Sequence, residues 1–184
     1  MKFNCLWRVL LAIFPLDIVS ADDPLAGVTQ GYFDGKRPFD AVELVGERGH
    51  ILIPESGKIE SQWVFKAGVL TASPKWDSLV TPDHYQDFRM HVEFNVNSVV
   101  DVDPEKNGNS GIYIQKRYEL QILNSHGVSE GDYKASYAGS LYRQKKPDKL
   151  VSRPAGEWQS YDIVFRAARF KDGKRTENAR ISVQ

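Results

Sequence analysis

Polar side chains that could bind or cleave a sugar alternate with apolar ones along three stretches of the sequence. The polar members are His91, Glu93, Tyr113, Gln115, Glu119 and Gln121. Carboxylates carry out glycosidic chemistry, and amides beside an aromatic ring suit the hydroxyls and flat faces of sugars. A carbohydrate groove therefore fits this set, and so does the ordinary solvated face of an antiparallel sheet.

Other local motifs carry weaker signals. The run 108–111 lacks the second glycine of a serine nucleophile elbow, because Ile112 stands in its place and a strand follows. Carboxylates between Asp101 and Asn109 suit calcium, but Lys106 occupies the position where an EF-hand loop needs glycine. None of the histidines, His50, His84, His91 and His126, has zinc-motif spacing. The sequence requires no cofactor and leaves open a divalent metal such as calcium.

The elements that position these residues are predicted to be strands. Alternation with a period of two runs through 88–97, 112–115 and 118–122. Shorter strands are expected at 51–53, 63–65, 68–72, 158–166 and 179–183, with turn signals between them, including 171–173. Many short strands without a long amphipathic helix predict an all-β sandwich or barrel. In a sandwich, Leu120 and Ile122 fill the interior, whereas Glu119 and Gln121 project into an open trough.

The turn between the second and third stretches gives a prediction of register. A two-residue turn at Lys116 and Arg117 would pair Ile114 with Glu119 and so mix core and polar side chains on one face. We therefore expect an odd-length loop or a bulge there.

Composition excludes several classes of protein. The chain has 184 residues, with 24 basic and 24 acidic side chains, so it lacks the basic excess of a nucleic-acid binder. A single cysteine, Cys5, rules out a disulfide scaffold and a cysteine-based zinc site.

The N-terminal residues 1–21 have the features of a signal peptide. Lys2 and Arg8 precede an apolar stretch that is too short to span a bilayer, and the small Val19 and Ala21 favour cleavage after Ala21. We expect an exported protein, periplasmic or extracellular, without an integral membrane span in the mature chain. A tail would follow at 22–31 and one domain at 32–184. The last predicted strand has no turn after it, so we also expect truncation at the C-terminus.

Several runs in order resemble the 3-keto-disaccharide hydrolase domain family. They are 63–70 (WVFKAGVL), 85–88 (YQDF), 108–115 (GNSGIYIQ), 118–125 (YELQILNS), 139–142 (GSLY), 154–163 (PAGEWQSYDI), 168–170 (ARF) and 178–180 (NAR). The resemblance covers roughly residue 32 to the end of the chain. It implies a concanavalin A-like jelly-roll sandwich of two antiparallel sheets, usually exported, that cleaves glycosides oxidised to a 3-ketone.

The implied chemistry suggests roles for residues of this chain. A 3-keto group acidifies the proton on C2, so a base can remove it while the leaving group departs from C1, and water then adds. We expect Glu119 to act as base or acid, with His91, Glu93 or His126 as its partner. Substrate hydroxyls would be positioned by Asn109, Tyr113, Gln115 and Gln121, and the sugar would be walled by Tyr142 and Trp158.

The sequence leaves three other interpretations open. A non-catalytic carbohydrate-binding jelly roll would use the same groove. A retaining glucanase of similar fold should carry a Glu-x-Asp-x-x-Glu strand, which the run from Glu119 to Asn124 does not match. An inactive remnant would aggregate through an open sheet edge.

Overall fold

The computed structural model describes residues 5–10, 41–58, 63–72, 77–96 and 108–184, and within these ranges the chain forms strands and no helix. The strands are β1 (Cys5–Leu10), β2 (Val45–Gly46), β3 (Gly49–His50), β4 (Ile53–Pro54), β5 (Val64–Lys66), β6 (Val69–Ala72), β7 (Leu79–Val80), β8 (Phe88–Val96), β9 (Ser110–Ile114), β10 (Tyr118–Ile122), β11 (Trp158–Arg166), β12 (Arg169–Lys171), β13 (Lys174–Glu177) and β14 (Arg180–Val183).

The largest sheet has six antiparallel strands in the order β14-β11-β8-β1-β6-β5. A smaller sheet pairs β10 with β9, and segment 139–142 extends it on the other side of β10, where Leu120 bridges to Leu141. Short two-stranded pairs join β2 to β3, β4 to β7 and β12 to β13.

The core lies between the six-stranded sheet and the β9–β10 sheet. Alternate residues of β8 and β11, among them Phe94 and Phe165, share one buried cluster with Leu120 and Ile122 of β10. The Tyr118 and Phe165 rings cross this interface with their centroids 6.0 Å apart. Because each sheet buries one face against the other, the two remaining faces point away on opposite sides. The predicted all-β sandwich of antiparallel sheets is confirmed.

The loop between β9 and β10 has the odd length that the polar pattern requires. Ile114 pairs with Tyr118 across three loop residues, and the Arg117 amide donates to the Ile114 carbonyl at 3.1 Å. Gln115 and Lys116 both adopt φ of 53°. Tyr113 consequently faces Glu119, and the core and polar faces remain separate, so the predicted register is confirmed.

The hairpin of β12 and β13 was not predicted as strands, although its turn at 171–173 was. Asp172 and Gly173 have φ of 51° and 74°, which suits the tight turn of a two-residue hairpin. Its strands are mostly exposed and carry no apolar alternation, because neither face packs on the core. Their sequences therefore lack the alternation of apolar and polar residues that predicts a strand.

The N-terminal strand β1 lies between β8 and β6 and pairs with both, which places Arg8 opposite Glu93. The remainder of the predicted signal peptide and the tail at 22–31 fall outside the described residues, so cleavage after Ala21 stays a prediction. Loss of β1 would leave the facing backbone groups of β8 and β6 to find other partners. Within the described ranges, no helix has the length and apolar character needed to cross a bilayer.

Candidate functional site

Tyr113, Glu119 and Tyr142 form a row across the outer face of the small sheet. Glu119 faces Tyr113 on β9, and on its other side the Tyr142 amide donates to the Glu119 carbonyl at 2.9 Å. Leu120 of β10 points into the core, so its neighbour Glu119 points outward. The structure therefore brings together three residues that the sequence singled out.

Gly111 makes room for the Glu119 side chain. A Cβ atom at position 111 would lie 2.5 Å from Glu119 Oε1 and 2.9 Å from its Cγ. The carboxylate thus lies over bare backbone, where another residue type would push it away. Gly111 was not among the predicted site residues, although a glycine inside a strand is a signal of such a close approach.

The Tyr113 hydroxyl holds the carboxylate from the other side. Partial burial of this hydroxyl, its hydrogen bond to Glu119 and the negative charge there together raise the pKa of Tyr113 to about 12. The phenol is therefore neutral near pH 7 and donates to the carboxylate. The ring itself is 63% exposed and offers a flat apolar surface beside Glu119.

Tyr142 closes the row at the far end. The Arg143 guanidinium lies over its ring, 5.1 Å from the centroid, which favours a fixed ring position. Aromatic rings thus flank Glu119 on both sides, an arrangement that suits the two edges of a sugar-sized ligand.

Gln121 lies on the same face but not in the open. Its side chain is only 1% exposed, and its Nε2 donates to Asn109 Oδ1 at 3.1 Å and to the Ile122 carbonyl at 3.2 Å. The prediction that Gln121 projects into an open trough is wrong. Segment 139–142 runs beside Gln121, whose backbone N–H donates to the Ser140 carbonyl. Asn109 contacts the outer end of the Gln121 side chain. Of the two predicted trough residues, Glu119 alone is partly exposed. Leu120 and Ile122 fill the interior as predicted.

His91, Glu93 and Trp158 lie on the opposite side of the sandwich. They project from the outer face of the six-stranded sheet, where the pairing of β8 with β11 sets His91 opposite Asp162. The expectation that His91 or Glu93 partners Glu119 is therefore wrong, and Trp158 does not lie beside Glu119. A contact between Trp158 and sugar stays a prediction. Alternation predicts which residues point outward, but it does not say from which sheet.

His126 and Gln115 are also outside the row. His126 follows the far end of β10, and its Nδ1 donates to the Ser152 carbonyl at 2.9 Å. Gln115 is an exposed residue of the β9–β10 loop. Neither residue is placed beside Glu119.

On the outer face of the six-stranded sheet, His91 and Asp162 form a hydrogen-bonded pair that shifts the pKa of the histidine. His91 Nδ1 lies 2.7 Å from Asp162 Oδ1, and both side chains are 23% exposed. This hydrogen bond, against the effect of burial and with help from nearby negative charge, raises the pKa of His91. Asp162 is 71 positions away from His91 in the chain and was not among the predicted site residues.

The pair predicts a pH-dependent stability. A raised histidine pKa contributes stability that is complete below the unfolded value of about 6.5 and is lost as pH rises through the folded value. We expect the difference in melting temperature between the wild type and His91→Gln to be larger at about pH 5.5 than at about pH 8.5. Thermal melts at both pH values measure this, and an equal difference at both would contradict it.

Among the described residues, no group of three or more acidic, histidine or cysteine side chains is placed to hold a metal ion. The carboxylates from Asp101 to Glu105 that suit calcium lie outside those residues. A divalent metal therefore stays a proposal to be tested with a chelator.

Comparison with known proteins identifies the family. A family model described as a 3-keto-alpha-glucoside-1,2-lyase-like domain matches residues 48–179. The crystal structure of "a putative glycosyl hydrolase from Parabacteroides distasonis ATCC 8503" superimposes with a TM-score of 0.71 at 30% identity, and the match covers 79% of this chain and 61% of that one. Curated proteins gave no match. The chain belongs to the 3-keto-alpha-glucoside-1,2-lyase-like domain family.

Proposed function

We propose that this protein is an exported carbohydrate-active enzyme that cleaves glycosides bearing a 3-keto group, by elimination across C1 and C2 followed by addition of water. The family match and the similarity to a protein named as a putative glycosyl hydrolase support the carbohydrate-related role. The observation that carries the proposal is the Glu119 carboxylate, held over Gly111 in a row between two tyrosines.

Glu119 supplies the base that the elimination needs. Its carboxylate takes the C2 proton, which the neighbouring ketone acidifies, and the electron pair of that bond delocalises onto the keto oxygen. The enolate re-forms the ketone, a C1–C2 double bond forms, and the C1–O bond breaks with its electron pair on the departing oxygen. That oxygen takes up the proton that Glu119 carries, which restores the carboxylate, and water later adds across the C1–C2 double bond. Tyr113, neutral and hydrogen-bonded to Glu119, keeps the carboxylate in place.

A second candidate function is carbohydrate binding without catalysis. The 63% exposure of Tyr113 favours it, because an open aromatic ring is the plate on which a sugar face packs. Both functions use the same row of residues, so only turnover separates them.

The experiment compares a 3-keto-disaccharide with its unoxidised parent, each incubated with the full chain with and without a chelator. Cleavage of only the keto sugar supports the enzyme, and loss of cleavage with chelator supports a metal. Binding without cleavage supports the binding module, and neither binding nor cleavage overturns both proposals. N-terminal sequencing of the exported protein tests cleavage after Ala21.

A further inference from the structure

The hydrogen bonds of Gln121 fix the orientation of the Asn109 side chain. One terminal atom of Gln121 lies 3.2 Å from the Ile122 carbonyl oxygen, which can only accept, so that atom is the amino group Nε2. The same amino group lies 3.1 Å from Asn109, and the atom of Asn109 that faces it must therefore be the acceptor Oδ1. The Asn109 amino group is thereby directed away from Gln121.

Asn109 stands at an exposed position on the face that carries Glu119. It comes directly before β9, and the contact of its Oδ1 with Gln121 Nε2 places its side chain on the same face as Gln121. Gly111, over which the Glu119 carboxylate lies, follows two residues later. A carboxylate, which accepts protons, and an amide N–H, which donates hydrogen bonds, therefore share one face of the small sheet.

Gln121 itself is an unusual residue for its position. It is 1% exposed, and among the described residues its Oε1 is buried without a hydrogen-bond partner. An apolar side chain of the same volume would avoid that penalty. The carboxamide at this buried position instead donates to two acceptors, the Ile122 carbonyl and Asn109 Oδ1.

We propose that Asn109 is the hydrogen-bond donor to the keto oxygen and that the buried Gln121 is its positioning residue. This inference rests on the proposed function. As Glu119 removes the C2 proton, the C–H electron pair forms the C2–C3 double bond and the carbonyl pair moves onto oxygen. An N–H of Asn109 donates to that developing negative charge until the C1–O bond breaks.

The test measures kcat and KM on a 3-keto-disaccharide. Asn109→Ala is expected to lower kcat about a hundredfold with little change in KM, as for loss of one oxyanion donor. Asn109→Asp keeps the acceptor for Gln121 but removes the donor, so it should lose as much. Asn178→Ala, an exposed asparagine near β14, is the matched control and should leave kcat unchanged.

A double-mutant cycle tests the positioning role. Gln121→Met as a single variant should lower kcat. Added to Asn109→Ala, it should lower kcat no further, because Gln121 acts only by positioning Asn109. If Gln121→Met fails to fold, Gln121→Asn, one methylene shorter, replaces it in the same cycle. Additive losses would overturn the positioning role.

The outcomes separate this inference from the proposed function. Wild-type kcat in Asn109→Ala, together with an inactive Glu119→Gln, would overturn the donor role and leave the enzyme proposal standing. Failure of the wild type to cleave any 3-keto glycoside would overturn the proposed function and this inference with it.

Discussion

Replacement of Glu119 by glutamine is expected to lower turnover of a 3-keto-disaccharide by between about a hundredfold and ten-thousandfold, the usual effect of losing a positioned base. Glutamine has the same shape and still accepts the Tyr113 hydrogen bond, so the fold should be kept. The loss should fall on kcat more than on KM, because proton removal belongs to the chemical step. Steady-state kinetics measures the first effect, and circular dichroism with a thermal melt checks the second.

Glu93→Gln is the matched control for this variant. Both glutamates are half-buried on outer sheet faces, but Glu93 faces Ser160 on the far side of the sandwich. Its replacement should leave turnover within about twofold of wild type, as surface changes away from a site usually do. Equal losses in the two variants would show that the active face has been assigned to the wrong sheet. Unchanged turnover in Glu119→Gln would remove Glu119 from the mechanism.

Replacement of Gly111 by alanine is expected to reduce turnover by about a hundredfold while the protein stays folded. The added methyl group would lie 2.5 Å from Glu119 Oε1, so the side chain must leave its place over the backbone and weaken its bond to Tyr113. A displacement of about 1 Å at a reacting group is enough for such a loss. The backbone at Gly111 is not in the left-handed region, so alanine fits its conformation.

Gly131→Ala is the control for the Gly111 variant. A Cβ atom at Gly131 would meet nothing within 4 Å, so both turnover and melting temperature should stay at wild-type values. In the Glu119→Gln background, Gly111→Ala should cost little further turnover, since the group that it displaces is already inactive. Full activity in the single variant would show that catalysis does not need the carboxylate above Gly111.

Strand pattern could be predicted from the sequence because alternation depends on residues that are close together along the chain, and the family could be predicted from the order of short runs between residues 63 and 180. Alternation in 88–97 and 118–122 records which side chains meet the core, and it correctly predicted β8 and β10. The same parity required the three-residue loop at 115–117. The strands of the polar hairpin β12–β13 were not predicted, because an exposed strand does not need alternating apolar residues.

The composition of the site was only partly predictable. One sheet holds β9, β10 and segment 139–142 as neighbours. It therefore brings together Tyr113, Glu119 and Tyr142, and it also brings Asn109 into contact with Gln121. Gly111 was missed because its contribution is an absent side chain, and its effect depends on the rotamer of a residue on the next strand.

By itself, then, the sequence determined which residues point inward, how β9 and β10 register, and to which family the chain belongs. Only the tertiary structure decided which polar residues share a surface. Period-two alternation distinguishes the inside of a strand from its outside, but the two sheets of a sandwich have outsides that face opposite directions. The packing of β8 and β11 against β10 therefore separates His91, Glu93 and Trp158 from Glu119, and the path of segment 139–142 beside β10 buries Gln121.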